Sequence, residues 1–147
     1  MTAPLVTIAV PSLNQGQYLD AALASLFAQE VPIEVFVADG GSTDASLEVI
    51  NRWSHRLAGF RSHPDAGQSA AINESIAKGS APFVTWLNSD DFLVPGGLRA
   101  LVDALERNPA IHVAYGRAWA LDEHTGLQWP VWVEPFAERR LATRCIV

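Results

Sequence analysis

The fold is decided by the stretch Leu5-Val-Thr-Ile-Ala-Val10 and by the polar loop behind it, Pro11-Ser-Leu-Asn-Gln-Gly16. The first segment is a short β-branched run, which suits a buried strand that ends at a proline. Apolar residues then recur in pairs at every fourth position: Tyr18, Leu19, Ala22, Leu23, Leu26 and Phe27. This spacing predicts an amphipathic helix, which Pro32 ends. Because Ile33–Ala38 is a second strand-like run, the chain begins with a strand, a helix and another strand.

The same alternation continues beyond this unit. Strands are predicted over Leu57–Ser62 and Pro82–Leu87, with a further one at Ile111–Tyr115. Helices are predicted around Leu47, Val49, Ile50 and Trp53, over Gln68–Lys78 with Gly79 as the stop, and from Pro95 through Leu98, Leu101, Val102 and Leu105 to Asn108-Pro109. A turn at Asp122–Gly126 separates Trp119–Leu121 from Leu127–Val133. The pattern predicts an α/β fold with a Rossmann-like, doubly wound, mostly parallel sheet and right-handed crossovers.

Composition excludes several classes of protein. The 147 residues include 10 Lys+Arg and 16 Asp+Glu, a net charge of −6, which argues against a nucleic-acid partner. A hydrophobic fraction of 49% fills a core and excludes disorder. The single Cys145 favours a reducing, cytoplasmic compartment. No stretch approaches the ~20 apolar residues of a membrane span, so we expect no transmembrane segment; peripheral membrane association and homo-oligomerisation stay open.

Polar residues follow the predicted strands at the point where each strand ends. The first strand runs into Pro11-Ser12-Leu13-Asn14, the second ends at Asp39, and Pro82–Leu87 runs into Asn88-Ser89-Asp90-Asp91. The carboxyl ends of parallel strands share one edge of the sheet, and ligands bind in crevices outside that edge. We therefore expect these three loops to converge on one crevice.

Two adjacent carboxylates, Asp90 and Asp91, follow a buried apolar strand. Their mutual repulsion is relieved by a divalent cation, and Mg²⁺ and Mn²⁺ prefer oxygen ligands from carboxylates, waters and substrate phosphates. Neighbouring residues on an extended chain point in opposite directions. We therefore predict that Asp91 ligates the metal, while Asp90 accepts hydrogen bonds from a ribose or from the backbone. The alternative is a solvated Asp-Asp turn that caps the following helix.

Asp39 stands in a different setting, in front of Gly40-Gly41. The glycines allow a flat ligand to approach the backbone, and the carboxylate can accept hydrogen bonds from an imide or amino group, as in uracil. Alternatively, Asp39 caps the Ser42–Thr43 turn. Both interpretations remain open at this point.

The segment Asp65-Ala-Gly67-Gln68-Ser69 precedes a predicted helix. The free N–H groups and the positive dipole end of that helix can face a phosphate, with Asn73 about one turn further along. The alternative is a simple helix cap with Asn73 in solvent.

Four segments together resemble the family 2 glycosyltransferases. They are Thr7-Ile-Ala-Val-Pro-Ser-Leu-Asn14-Gln-Gly, Val37-Ala-Asp39-Gly-Gly-Ser-Thr-Asp44, Pro64-Asp65-Ala-Gly67-Gln-Ser-Ala-Ala-Ile-Asn73 and Trp86-Leu-Asn-Ser-Asp90-Asp91. The resemblance implies the GT-A fold and a nucleotide-diphosphate-sugar donor, commonly a UDP-sugar, with Mn²⁺ or Mg²⁺ on its diphosphate.

The resemblance also implies roles for single positions. The first-strand loop holds the donor, Asp39 matches the base-binding aspartate, and Asp65 and Gln68 match the loop beside the diphosphate. Asp90-Asp91 matches the metal-binding acidic motif. With Asn73, the predicted donor-binding residues are Pro11, Ser12, Asn14, Asp39, Asp65, Gln68, Asn73 and Asp90, and Asp91 is the predicted metal ligand. Many relatives carry an Arg where Gln68-Ser69 stand, which leaves one phosphate-neutralising charge unaccounted for.

Residues 1–118 are expected to form the donor-binding core, and residues 119–147 resemble the incomplete start of an acceptor-binding half. That half supplies the catalytic base in the family, so the base is unassigned here. Glu134 is a candidate, as are Asp122 and Glu123, although turn or surface roles are favoured for all three.

The sequence therefore predicts a metal-assisted, inverting glycosyltransferase that acts on a glycan, lipid or other acceptor. The alternative is a non-catalytic nucleotide-sugar-binding module or an inactive fragment of a longer enzyme. A receiver-like domain with an acidic Mg²⁺ pocket is disfavoured, because the first strand ends without a carboxylate.

Overall fold

The computed structural model describes residues 2–131, and the chain divides into two compact units, Met1–His112 and Val113–Val147. Within the described part of the first unit, strands and helices alternate as β1 (Val6–Ser12), α1 (Gly16–Phe27), β2 (Ile33–Asp39), α2 (Ser46–Trp53), β3 (Gly59–Ser62), α3 (Gln68–Ile76), β4 (Phe83–Trp86) and α4 (Gly97–Arg107). The predicted α/β class is confirmed. The predicted functional division after residue 118 stays a prediction.

The four strands of the first unit form one parallel sheet in the order β3-β2-β1-β4. The chain steps outward from β1 to β2 and β3, and then returns past β1 to β4. With right-handed crossovers, this reversal places α1 and α2 on one face of the sheet and α3 on the other. The direction therefore changes between β1 and β4, and a ligand crevice is expected outside the carboxyl ends of these two strands.

The core of the first unit is built around β1, which is buried along its whole length. Branched side chains of β1 and β2 pack against the leucine stripe of α1. The central members are Ile8, Val10, Val35, Val37, Leu19, Leu23 and Leu26, each at most 1% exposed. This packing fixes the positions of the strand ends from which the polar loops depart.

The first strand continues beyond the predicted end at Val10 and includes Pro11. Ala9 accepts a hydrogen bond from Leu87 N–H on the β4 side, so Pro11, two residues further, turns its nitrogen to the same side. The pairing of β1 with β4 ends at Ala9 and Trp86. Pro11 therefore meets no strand that requires its missing N–H, and the ladder with β2 continues to Ser12.

The described residues of the second unit contain an antiparallel hairpin of β5 (Ala118–Leu121) and β6 (Gln128–Val131). The predicted turn between them is confirmed: the Asp122 carboxylate accepts hydrogen bonds from His124 and Thr125 N–H at 2.9 and 3.0 Å. The predicted strand over Ile111–Tyr115 is wrong, because no described strand pairs with this segment and a strand needs a neighbour for its hydrogen bonds. No helix within residues 2–131 has both the length and the apolar character needed to cross a membrane.

Candidate functional site

A cleft of about 350 Å³ lies at the carboxyl edge of the parallel sheet. It is lined by the loop after β1, the end of β2, the N-terminus of α3 and the loop after β4. The lining residues are Pro11, Ser12, Leu13, Gln15, Ala38, Gly40, Asp65, Gly67, Gln68, Ala71, Asn88, Ser89 and Asp90. The structure thus brings together five of the predicted site residues: Pro11, Ser12, Asp65, Gln68 and Asp90.

Asn14 connects the loop after β1 to the loop after β2. It adopts the left-handed conformation, with a φ of 54°, which asparagine tolerates better than most residues. Its N–H donates to Ser42 Oγ at 2.8 Å, and its Oδ1 accepts from Thr43 N–H at 2.9 Å. Asn14 is not among the lining residues, so the contacts that the structure gives it hold two loops of the cleft together.

Asp39 ends β2 with a side chain that is 0% exposed. Its Oδ2 accepts hydrogen bonds from the N–H groups of Gly41 and Ser42, at 3.1 and 3.0 Å, and from Ser62 Oγ at 2.6 Å. Its Oδ1 accepts from Ser42 Oγ. Burial alone would raise the pKa of Asp39, but these hydrogen bonds outweigh it and lower the pKa.

This arrangement is the capping alternative stated for Asp39 from the sequence. The carboxylate holds the Gly41–Ser42 turn, and its neighbours Ala38 and Gly40 line the cleft. A carboxylate offers about four lone-pair sites, two on each oxygen, so the three donors on Oδ2 saturate that oxygen, and the Ser42 hydroxyl takes one of the two sites on Oδ1. Recognition of the nucleotide base by Asp39 stays a prediction, and it would rely on the remaining capacity of Oδ1.

Asp65 lies in the loop before α3 and is held by two different donors. Its Oδ2 pairs with Arg61 Nη2 at 2.8 Å, and its Oδ1 accepts from Gly67 N–H at 2.8 Å. The hydrogen bond from Arg61, followed by that from Gly67, lowers the pKa of Asp65. Gly67 has a φ of 104°, which an L-residue adopts only under strain, so glycine is required where the chain turns into α3. Asp65 therefore lines the cleft as a carboxylate that is fixed at both oxygens.

Two side-chain amides of the cleft lining, Gln68 and Asn88, are hydrogen-bonded in series. Gln68 Nε2 donates to Asn88 Oδ1 at 2.7 Å, and Asn88 Nδ2 donates to Asp91 Oδ2 at 3.0 Å. These contacts connect the first residue of α3 to the acidic pair after β4. The sequence indicated Gln68 and Asp91 as site residues but not Asn88, although Asn88 belongs to the same motif as the acidic pair.

Asp90 and Asp91 are both exposed after β4, and only Asp90 lines the cleft. Asp91 N–H donates to Asn88 O at 3.1 Å, which makes a turn of the acidic segment. Within residues 2–131, no group of three or more His, Cys, Asp or Glu side chains is arranged to hold a metal ion. A cation bound here would take one or two carboxylates from the protein and its other oxygens from substrate and water, which is the mode that Mg²⁺ favours.

The remaining predicted residues lie elsewhere. Asn73 is exposed on α3 and is not among the lining residues. Asp122 caps the turn of the hairpin, where hydrogen bonds from Thr125 and His124 lower its pKa. Glu134, the candidate base, lies outside the described residues.

Arg61 is a residue of this region that sequence reasoning missed. Its side chain is only 9% exposed and contacts Asp65, Glu74 and two backbone carbonyls. No periodicity or motif singled it out, since its partners come from three separate segments of the chain.

The sequence of this chain is similar to those of known glycosyltransferases. The family model described as glycosyl transferase family 2 matches residues 7–145. An uncharacterized glycosyltransferase of Haemophilus influenzae is 32% identical over 112 residues, which cover 74% of this chain and 45% of that protein. The chondroitin synthase of Escherichia coli is 26% identical over 137 residues, which cover 88% of this chain and 20% of the synthase. This chain therefore spans less than half the length of these relatives.

Two solved structures are similar in fold. S. aureus TarS 1-349 superposes with a TM-score of 0.63 at 24% identity, over 70% of this chain and 32% of that one. The mannosyltransferase PcManGT from Pyrobaculum calidifontis, in complex with GDP-Man and Mn²⁺, gives a TM-score of 0.55 at 25% identity, over 63% of this chain and 29% of that one.

Proposed function

The chain belongs to glycosyl transferase family 2, and we propose that the cleft at its sheet edge binds a nucleotide-diphosphate sugar, in the first place a UDP-sugar, for metal-assisted, inverting transfer to an acceptor. One observation carries the proposal. Loops from β1, β2, α3 and β4 line a single cleft, with a helix N-terminus at one wall and an exposed carboxylate at another. Phosphates favour the first of these features, and divalent cations favour the second.

The α3 wall is suited to the diphosphate. Ala70 and Ala71 N–H groups bond to Gly67 O inside the helix, whereas the first N–H groups of a helix have no intrahelical acceptor. In α3 these belong to Gln68 and Ser69. They would face the diphosphate together with the positive end of the helix dipole.

The β1 wall offers a polar group without a partner. Ser12 lines the cleft at 6% exposure, and its buried Oγ has no hydrogen-bond partner among the described residues. Buried hydroxyls are rarely left unpaired in proteins, so a small shift that lets Ser12 bond a donor group would be favourable.

The acidic segment is suited to a cation that is shared with the diphosphate. Because Asp90 lines the cleft, it is the first candidate for direct ligation, and Asp91, the ligand predicted from the sequence, is the second. Asn88 fixes the orientation of Asp91, and Gln68 in turn fixes Asn88. When bound, the cation would neutralise the charge that develops on the departing diphosphate. The Mn²⁺ and GDP-Man of the mannosyltransferase PcManGT support this choice of ligands.

Transfer also requires a base that deprotonates the acceptor hydroxyl. The carboxylates that line the described cleft are Asp65 and Asp90, and both already have roles, so we assign no base within residues 2–131. The second candidate function follows from this: a module that binds the nucleotide-sugar without transferring it.

The test is calorimetric titration of the chain with UDP and with GDP, each in Mn²⁺ and in excess EDTA. We expect UDP to bind at least about tenfold more tightly with Mn²⁺, because the cation screens the acidic pair from the diphosphate. The variant that abolishes this gain, Asp90→Asn or Asp91→Asn, identifies the ligating carboxylate. Asp103→Asn, on the surface of α4, is the matched control. Equal affinity with and without EDTA contradicts the metal site. A preference for GDP over UDP would mean that the donor carries guanine rather than uracil.

Turnover separates the two candidate functions. A nucleotide-sugar that is bound but neither hydrolysed nor transferred identifies the binding module. Transfer at a rate in the range of enzymes, ~1–10³ s⁻¹, identifies a complete enzyme.

A further inference from the structure

Arg61 engages four acceptors from different parts of the fold. Its Nε donates to Glu74 Oε2 at 3.0 Å and its Nη2 to Asp65 Oδ2 at 2.8 Å. Its Nη1 donates to the backbone oxygens of Asp39 and His63, at 2.6 and 3.0 Å. The planar fork of a guanidinium fits several fixed acceptors at once, which the single ammonium of a lysine does not.

These contacts join three elements that build the cleft. Asp39 is the last residue of β2, Asp65 stands in the loop that lines the cleft, and Glu74 lies on α3. Arg61 itself is not among the lining residues. It therefore acts on the cleft through Asp65, whose other oxygen holds Gly67 at the start of α3.

The positive charge of Arg61 also affects the cleft, because it offsets the negative charge of Asp65. Asp65 lines the wall where the diphosphate is proposed to bind, and two like charges in partly desolvated surroundings repel each other strongly. Arg61 pairs directly with the carboxylate of Asp65. Its other ionic partner, Glu74, also pairs with Lys78 at 2.7 Å, so the four side chains are balanced, two positive and two negative.

We propose that Arg61 is a positioning residue for the donor: it neutralises and orients Asp65 so that the wall of the cleft accepts a diphosphate. This rests on the proposed function. It assigns to a buried arginine on β3 part of the neutralising charge that is missing at Gln68-Ser69. Removal of Arg61 should weaken ligands that carry the diphosphate and spare those that lack it.

The test compares UDP with uridine by calorimetry, or GDP with guanosine if the wild-type chain selects GDP. In Arg61→Met, we expect UDP affinity to fall about tenfold or more, while uridine affinity stays within about twofold. Adding Asp65→Asn should restore most of the UDP affinity, because the uncompensated carboxylate is then gone. Arg52→Met, which breaks an exposed ion pair with Asp20, is the matched control and should change neither ligand.

If Arg61→Met does not fold, the test uses Asp65→Asn, in which the side chain keeps its shape and loses its charge. Asp65→Asn alone leaves the charge of Arg61 unbalanced, so we expect the ratio of UDP to uridine affinity to rise severalfold. An unchanged or lower ratio overturns the proposal, as does equal weakening of UDP and uridine in Arg61→Met. If the wild-type chain binds neither UDP nor GDP, the proposed function fails with it. If the wild type binds and the variants do not differ from it, only the role of Arg61 fails.

Discussion

The two ends of β2 carry carboxylates that look alike locally and differ in what surrounds them. At the carboxyl end, Asp39 is bonded by the loop after β2 and by Ser62. At the amino end, Glu34 Oε1 accepts from Thr7 Oγ1 at 2.7 Å and from Ala81 N–H at 2.9 Å, and Ser80 adds further bonds. In both, burial would raise the pKa, and hydrogen bonds from neighbouring strands and loops outweigh it and lower the pKa.

Asp39 and Glu34 differ in the edge of the sheet at which they lie. The loop held by Asp39 contributes Gly40 to the cleft, whereas the residues that bond Glu34 lie at the opposite edge and contribute nothing to it. A carboxylate with many hydrogen bonds and a lowered pKa is therefore no sign of function by itself. What separates the two ends is the ligand crevice that a doubly wound sheet creates only at its carboxyl edge.

The largest effect is expected from truncating the two carboxylates. Asp39→Ala strands several donors inside the protein and should lower the free energy of unfolding by about 3 kcal/mol, against about 2 kcal/mol for the more exposed Glu34→Ala. Urea unfolding measures both. In calorimetry on the folded fraction, Asp39→Ala should abolish UDP binding, and Glu34→Ala should leave it unchanged. Loss of UDP binding in a folded Glu34→Ala protein would break the distinction between the two edges.

The second prediction concerns the free energy of unfolding at low pH. Because the folded-state pKa values of Asp39 and Glu34 lie below their ordinary values of 3.8 and 4.5, each carboxylate stabilises the fold above its ordinary pKa. This stability is lost as the pH falls through the folded-state value. Asp39→Asn and Glu34→Gln should therefore lower the free energy of unfolding at pH 7. Below about pH 4, the difference in free energy of unfolding between each variant and the wild type should become smaller. A constant gap from pH 7 to pH 3 in urea unfolding would contradict a contribution from the ionised forms.

The elements of the first unit were predictable because they rest on local periodicity. The β-branched runs of β1 and β2 and the start of the apolar pairs in α1 indicated these elements to within two residues of the observed bounds, although α1 ends at Phe27, before the proline that was expected to end it. The family assignment, drawn from four short motifs, is confirmed by the match over residues 7–145. Ile111–Tyr115 shows the limit of this approach: an apolar run does not reveal whether a partner strand exists.

The site was predictable only in outline. The rule that ligands bind at the carboxyl edge located Ser12 and Asp90, whereas the start of a predicted helix and the family resemblance located Asp65 and Gln68. These signals did not reveal how the oxygens of Asp39 are occupied, since one of their donors, Ser62, comes from another strand. Arg61 was missed for the same reason: three of its four acceptors belong to Asp39, Asp65 and Glu74, up to 22 residues away in the chain.

The smallest expected effect compares a glycine that lines the cleft with a glycine that precedes the next helix and does not line it. Gly67 and Gly96 precede α3 and α4 with positive φ values of 104° and 74°, and a Cβ at either position would meet no atom within 4 Å. Alanine at each should therefore cost only backbone strain, measured by urea unfolding: about 1–2 kcal/mol at Gly96, which lies in the left-handed region. At Gly67 the cost should be about 1–3 kcal/mol, because its φ of 104° and ψ of 175° lie in a region that is essentially restricted to glycine. Since Gly67 lines the cleft and Gly96 does not, Gly67→Ala should also weaken UDP binding by severalfold, whereas Gly96→Ala should not. Equal UDP affinity in the two variants would mean that the turn before α3 does not contact the donor, and the proposed diphosphate wall would have to be placed elsewhere on the cleft.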